Sequence, residues 1–506
     1  MAGLLTRLQF GEWLPDLPEF NNPGSPNVLN AYWVNGCYVP AYGFSPLGAA
    51  LPARCQGAYA AVDANGATHV YAGTAANLQE YTGTGFTDRS AAGGYGAQDG
   101  QYWKFTQFSS ASFGNLVIAT DYADAVQSMT VGGATFAPLA GSPPAAAQIA
   151  AVNQFVMLGD TNDGMSGHVP YRLQWCGIGN PTYWAYGTLA AQQAQAGAQF
   201  LNAVYGPITH IADGYQYGLV FQQRGITRAY YTGDDAIFAF DTYEKQRGAV
   251  FPNACVQLGN LVYFIAEDGF CMTDGQQVLQ IGHGKVDNRF ISGVSQAYAD
   301  RVVGSLDPLN KLILWSYCSG GNSSGIPDQV IAYNYAEGRF TPVTASLSRV
   351  FTTKSFGYTM DTLDNVNLNL DLITPSLDSP YWEGGNLQVG AFDGSNNYGQ
   401  LGGNPLTATI DTAESAPTGG GLTYVDGVRP VVSNPPNGSA GISVQLLTQN
   451  LENSAYALSA AAGQNSATGR CDLRAAARYV RASVSIAGGF GQASGVDIYG
   501  AAAGER

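Results

Sequence analysis

The strongest constraint on this chain is a repeated texture. Four short apolar runs, parted by Gly, Asn and Asp turns, return about every 45 residues. One unit reads Ile208 to Ala212, Gly218 to Gln222, Ile226 to Tyr231 and Ile237 to Tyr243. The next reads Ala254 to Leu258, Leu261 to Ala266, Phe270 to Thr273 and Val278 to Ile281. A third reads Arg301 to Leu306, Lys311 to Tyr317, Gln329 to Tyr335 and Arg339 to Val343. Earlier runs of the same kind are Gly57 to Ala61, Thr68 to Ala72, Leu116 to Thr120, Gln154 to Gly159 and Tyr171 to Cys176. Small antiparallel sheets stacked face to face need this mixture of apolar strands and tight turns. The spacing predicts an all-β chain with a β-propeller body of about six to seven blades over 51–415.

Two flanking segments differ. Residues 1–50 hold Pro15, Pro18 and Pro23 close together, which excludes helix and central strand around them. Trp13, Leu14, Leu17 and Phe20 still need a surface, so an extended arm is expected, docked on the body or on a neighbouring subunit. Past about residue 415, Thr418-Gly419-Gly420-Gly421 and Asn434-Pro435-Pro436-Asn437-Gly438 look like linker and turn. In 479–486, Val480, Ala482, Val484 and Ile486 alternate with Tyr479, Arg481, Ser483 and Ser485, which predicts a half-buried strand in a small β-domain, 416–506. Two local expectations are sharper. Asp63-Ala64-Asn65-Gly66 between two strands predicts a type I′ hairpin with positive φ at Asn65 and Gly66. Leu189 to Leu201 is helix-friendly but has no apolar stripe, leaving helix or loop.

Charge narrows the function. Lys and Arg number 22 against 37 Asp and Glu, a net −15, which disfavours a surface that wraps nucleic acid. Residues 429–506 carry six arginines and four acids, net +2, so the remainder is −17. No run of 18 apolar residues is present, and the start lacks the apolar core and cleavage site of a secretory signal. The seven cysteines have no C-x-x-C spacing and an odd count, so free buried thiols from a reducing cytoplasm are expected.

Candidates for chemistry each have a plainer reading. His69, His168, His210 and His283 lie far apart, outside any metal motif. Gly282-His283-Gly284-Lys285 resembles a phosphate loop, but lacks the Ser or Thr after lysine, and no helix is expected to follow it. Asp160-Thr161-Asn162-Asp163-Gly164 opens like a calcium loop, yet Pro170 stands where its bidentate Glu belongs, leaving a turn. Asp234-Asp235, Glu267-Asp268 and Asp361/Asp364 could serve a glycosidase, though adjacent acids at Gly-flanked turns are common hairpin residues. Tyr183-Trp184, Tyr230-Tyr231 and Tyr381-Trp382 could stack on sugars or pack between blades. Arg470, Arg474, Arg478 and Arg481 form the one basic cluster and could pair with the acidic body or a partner.

Several segments carry a likeness. Trp13-Leu14-Pro15-Asp16-Leu17-Pro18-Glu19-Phe20-Asn21-Asn22-Pro23-Gly24 resembles the opening of tail proteins of short-tailed bacteriophages. So do Tyr171 to Trp184, Leu377 to Trp382, and Ala477-Arg478-Tyr479-Val480-Arg481 with Gly495-Val496. The chain is similar in this way to the nozzle, or tail-tube hub, group, whose members have a β-propeller body. The resemblance implies a structural virion protein with no catalytic site and no cofactor, assembled in the host cytoplasm. It also implies a six-copy ring below the portal and adaptor, around a channel that passes DNA without gripping it. Trp13, Leu14, Leu17, Phe20, Arg474, Arg478 and Arg481 are then the candidate assembly contacts. The alternatives are a carbohydrate-binding propeller and a propeller glycosidase.

Overall fold

The structure, a computed structural model, describes residues 4–19, 22–213, 217–354, 387–436, 441–451 and 454–503. The chain is all-β, and most of it forms seven four-stranded antiparallel sheets. Sheets one to six each use consecutive strands, with first strands Gly57–Val62, Lys104–Ser110, Ala145–Val152, Ile208–Ala212, Val256–Leu258 and Val303–Asp307. Sheet seven takes Leu347–Lys354, Leu387–Asp393 and Asn397–Pro405, and Tyr42–Ala50 completes its outer edge. A strand from before sheet one thus closes the last sheet. First strands lie side by side in turn from sheet one to sheet four and from sheet five to sheet seven, and Leu347–Lys354 lies against Gly57–Val62. The arrangement is consistent with a β-propeller.

The cores lie between sheets, where apolar faces meet. Phe108, Ile149, Phe155, Leu158 and Val220 join sheets two to four. Leu51, Val70, Tyr81, Phe351, Phe392 and Tyr398 join sheet seven to sheet one. Each fully buried aliphatic or aromatic side chain contributes about 1.5–3 kcal/mol, so closure rests on packing as well as on the 42–50 ladder. The hairpin at Asp63 departs from the type I′ expectation: only Gly66 has positive φ, at 87°. The Asp63 carboxylate accepts from the Asn65 and Ala67 N–H groups, both at 2.8 Å, and so holds a longer turn. Leu189 to Leu201 resolves into a short helix, Leu189–Gln193, and the outer strand Gly197–Phe200 of sheet three. Gly197 is required there, because a Cβ would meet the Trp175 ring at 2.5 Å.

The chain ends correct the expected boundaries. Two six-stranded sheets form a second unit. One holds Leu4–Gln9, Ala31–Val34, Cys37–Pro40, Thr423–Val432, Ala475–Ala477 and Ala493–Ala502. The other holds Val28–Leu29, Ala408–Asp411, Ile442–Gln449, Ala457–Leu458, Ala462–Gly463 and Tyr479–Ile486. Strands from 4–9 and 28–40 therefore join the sheets of the C-terminal unit, where a docked extended arm was expected, and residues 408–411 join them too. The prolines act only locally: residues 11–19 and 22–25 run irregularly, and Ser25 N–H donates to Glu12 O at 2.7 Å. One continuous core runs from Val428, Val444, Val484 and Ile498 to Phe270, Trp315 and Phe340 of sheets five and six.

That loop docks in cis. Trp13 is 5% exposed and Leu14 is buried. Glu12 pairs with Lys285 Nζ at 2.9 Å and with Arg339. Contrary to expectation, a helix, Asp287–Gly293, follows Gly282-His283-Gly284-Lys285. Its N-terminal N–H groups are nevertheless taken. The Asp16 carboxylate accepts from Asn288 N and Arg289 N, both at 2.8 Å, where a phosphate would sit.

Candidate functional site: a cavity beside sheets two to six

Most residues singled out in the sequence are committed to local structure. Asp234 accepts from Thr232 Oγ1 at 2.6 Å and from Ala236 N at 2.9 Å, and the Thr232 bond is the main cause of its lowered pKa. Glu267 is an exposed partner of Arg224, and Asp268 binds Arg247 at 2.7 Å. Trp184 is buried, donating to Pro181 O at 2.7 Å, and Tyr231 packs on Phe155 and Phe238. Asp361, Asp364, Tyr381, Trp382 and Phe20 lie outside the described residues. Among the described cysteines all seven are free, five of them buried.

The basic cluster is divided. Arg470 pairs with Asp426 at 3.0 Å, while Arg474 and Arg478 are exposed. Arg481 was expected on the open face of its strand but is 4% exposed. It donates to Tyr456 Oη at 3.1 Å, lies over that ring, and faces Glu19 of the opening loop at 3.7 Å. Leu17 is half-buried in the same loop. The candidate assembly contacts Trp13, Leu14 and Arg481 are thus spent within the chain.

A cavity of about 350 Å³ lies where the first strands begin, lined by residues from or beside sheets two to six. Its wall includes Tyr102, Lys104, Asp121, Tyr122, Gln148, Asp160, His168, Thr209, Asn253 and Asp300. The run into sheet two makes contact with the segments before sheets five and six. Asp99 pairs with Arg301 at 3.0 Å, and Tyr102 Oη donates to Asp300 at 2.5 Å. Lys104 Nζ donates to Pro252 O at 3.0 Å.

At the rim, His168 Nε2 lies 2.6 Å from Asp160 Oδ1, and the His168 ring meets Tyr122 edge-on. Tyr122 and Asp160 both have left-handed backbones, φ 73° and 55°, an uncommon conformation that concentrates at functional sites. Burial raises the Asp160 pKa against the opposing pull of His168. Burial also pushes Asp121 up to about 6, with the Asp124 N–H opposing.

Deeper in, the charges are positive. Burial, and then the Arg349 charge, push the Lys104 ammonium down to about 7. Burial, then Lys104, pushes His210 down to about 3, so its imidazole is neutral. Burial holds Arg349 below its usual range, and its guanidinium lies 5.5 Å from the Tyr102 ring. Lys104, His210 and Arg349 come from sheets two, four and seven. No sequence spacing joins them; the one local signal was Asp160 and His168, eight residues apart on facing strands.

No protein-family model matches the chain, and no curated protein matches it. Among solved structures it is similar to the computationally designed Ika8 protein, at 8% identity and a TM-score of 0.35, over 78% of this chain and 99% of that one. It is also similar to the extracellular domain of the hybrid two-component system BT4673 from B. thetaiotaomicron. There the identity is 10% and the TM-score 0.39, over 79% of this chain and 45% of that one. Similarity of this degree carries no argument about function.

Proposed function

We propose that the chain is a structural subunit of a bacteriophage tail, of the nozzle or tail-tube hub kind. In this reading six copies ring a genome conduit below the portal and adaptor, and the seven sheets are the blades of one closed propeller. The observation that carries it is the place of the segments resembling those tail proteins. Trp13 to Asp16 is the joint between the two units of the fold, through Trp13, Glu12 and Asp16. Tyr171 to Trp184 supplies the third strand of sheet three and a turn fixed by Gln174 Nε2 donating to Trp184 O at 2.8 Å. The likeness thus falls on architecture rather than on a reacting group.

Two further features support permanent neighbours. Charge is scarce, and large apolar side chains stand free beside the outer strand of sheet three, Leu189 at 70% and Val204 at 77% exposure. In this reading the conduit runs between copies rather than through one copy, where Tyr102 and Lys104 tie the run into sheet two to the segments before sheets five and six. Mass spectrometry of purified virions tests the reading: the chain is expected at a few copies per particle, and its absence ends the proposal. A second reading is favoured by the strained Tyr122–Asp160 rim, a carbohydrate-binding site in the cavity. A glycan array showing no binding by the purified protein removes it.

A further inference from the structure

We propose that Lys104 and Arg349 form a site for a small multivalent oxyanion, of phosphate or sulfate size. Arg349 is 7% exposed, and its Nε and Nη1 have no hydrogen-bond partner among the described residues. No carboxylate pairs with it among the described residues; its neighbours are the Tyr102 ring, the Cys55 thiol and the Arg54 guanidinium, which itself pairs with Asp99. Burying an unpaired guanidinium is costly, and folded proteins leave few such groups unsatisfied without a reason. Lys104 brings a second basic group from another sheet, and it lines the same cavity as Tyr102, over whose ring Arg349 lies at 5.5 Å. Of its three donors the bond to Pro252 O uses one.

Arg349, and a Lys104 ammonium that a bound anion would keep protonated, call for a ligand with at least two negative charges and several acceptor oxygens, because one chloride would leave the other charge unbalanced. Lys104 lines the cavity, which supplies a route in. The carboxylates at the mouth bond elsewhere, Asp160 to His168 and Asp300 to Tyr102, and none makes an ion pair with Arg349 among the described residues. This site does not depend on the tail reading. A propeller of any function with two unmatched buried basic groups has the same need.

The test is thermal unfolding and titration calorimetry of the full chain at pH 7, in chloride buffer of constant ionic strength, with inorganic phosphate and sulfate as probes. Both are expected to stabilise the wild type saturably. Arg349→Met and Lys104→Met should each weaken binding by at least about tenfold, as loss of one buried charged partner does. In anion-free buffer Arg349→Met should unfold no lower than the wild type, since it removes an unpaired charge. Should Arg349→Met fail to fold, Lys104→Met decides alone. No saturable effect on the wild type, or equal affinity in Lys104→Met, overturns the proposal.

Discussion

Replacing Asp16 by alanine probes the joint between the opening loop and the body. The change removes the acceptor of two backbone N–H groups, Asn288 and Arg289, at the first turn of helix Asp287–Gly293. No local substitute stands ready. Val286, at the helix's own N-cap, makes no side-chain cap, and the Asp287 carboxylate is turned to Phe270 N at 2.9 Å. Loss of an N-cap costs about 0.5–2 kcal/mol, and loss of the negative charge at the positive helix end adds about 0.3–1 kcal/mol. A net loss of about 1–2 kcal/mol raises local opening by about 5- to 30-fold. Hydrogen exchange read by mass spectrometry over 286–293 should speed up by that factor, and exchange over 11–19 should rise with it. Sheets one to four should be unchanged. Asp16→Asn, which keeps one acceptor oxygen, should fall between. Wild-type exchange over 286–293 in Asp16→Ala would refute the reasoning that this loop is held in cis.

Three other outcomes are expected. Deleting residues 1–24 removes the strand paired with Ala493–Ala502 and the buried Phe10 and Trp13, for which truncation alone costs about 3–5 kcal/mol each. Limited proteolysis should then cut within 408–502, a stronger effect than weakened docking of an arm. Lys104 has a folded pKa pushed from 10.5 down to about 7, so the unfolded chain binds more protons between those values. Wild-type stability should therefore rise with pH from about 7 upward, by at most about 1.4 kcal/mol per unit, relative to Lys104→Met, in urea unfolding at several pH values. Gly141→Ala should lower the unfolding temperature. Its φ is +86° and a Cβ would meet Thr182 O at 1.7 Å, so strain of about 1–3 kcal/mol or more is expected.

Strand texture was legible in the sequence because turn residues and β-runs are local. The units beginning at Ile208, Ala254 and Arg301 each fall on one four-stranded sheet. Pairing over long separations was not. Nothing local to Tyr42–Ala50 says that it will lie beside Asn397–Pro405, nor that Leu4–Gln9 will pair with Ala493–Ala502. The same limit turned the opening segment into an expected arm: its prolines forbid a ladder only between Gly11 and Ser25, while strands form on both sides. Arg481 was misread because alternation describes one neighbouring layer, whereas Tyr456 and Glu19 cover its outer face. The buried basic groups were the least visible of all, since Lys104, His210 and Arg349 meet only after the sheets close.

The central claim is that this chain is built to stand in a ring around a genome conduit. Electron microscopy of purified virions, with the chain located by a small tag on its C-terminus, tests it most directly. Six tagged copies forming a closed tube in the tail, with the channel between copies, is the predicted image. Virions whose tails carry no tag density, or a channel that passes through the axis of a single copy, would contradict it.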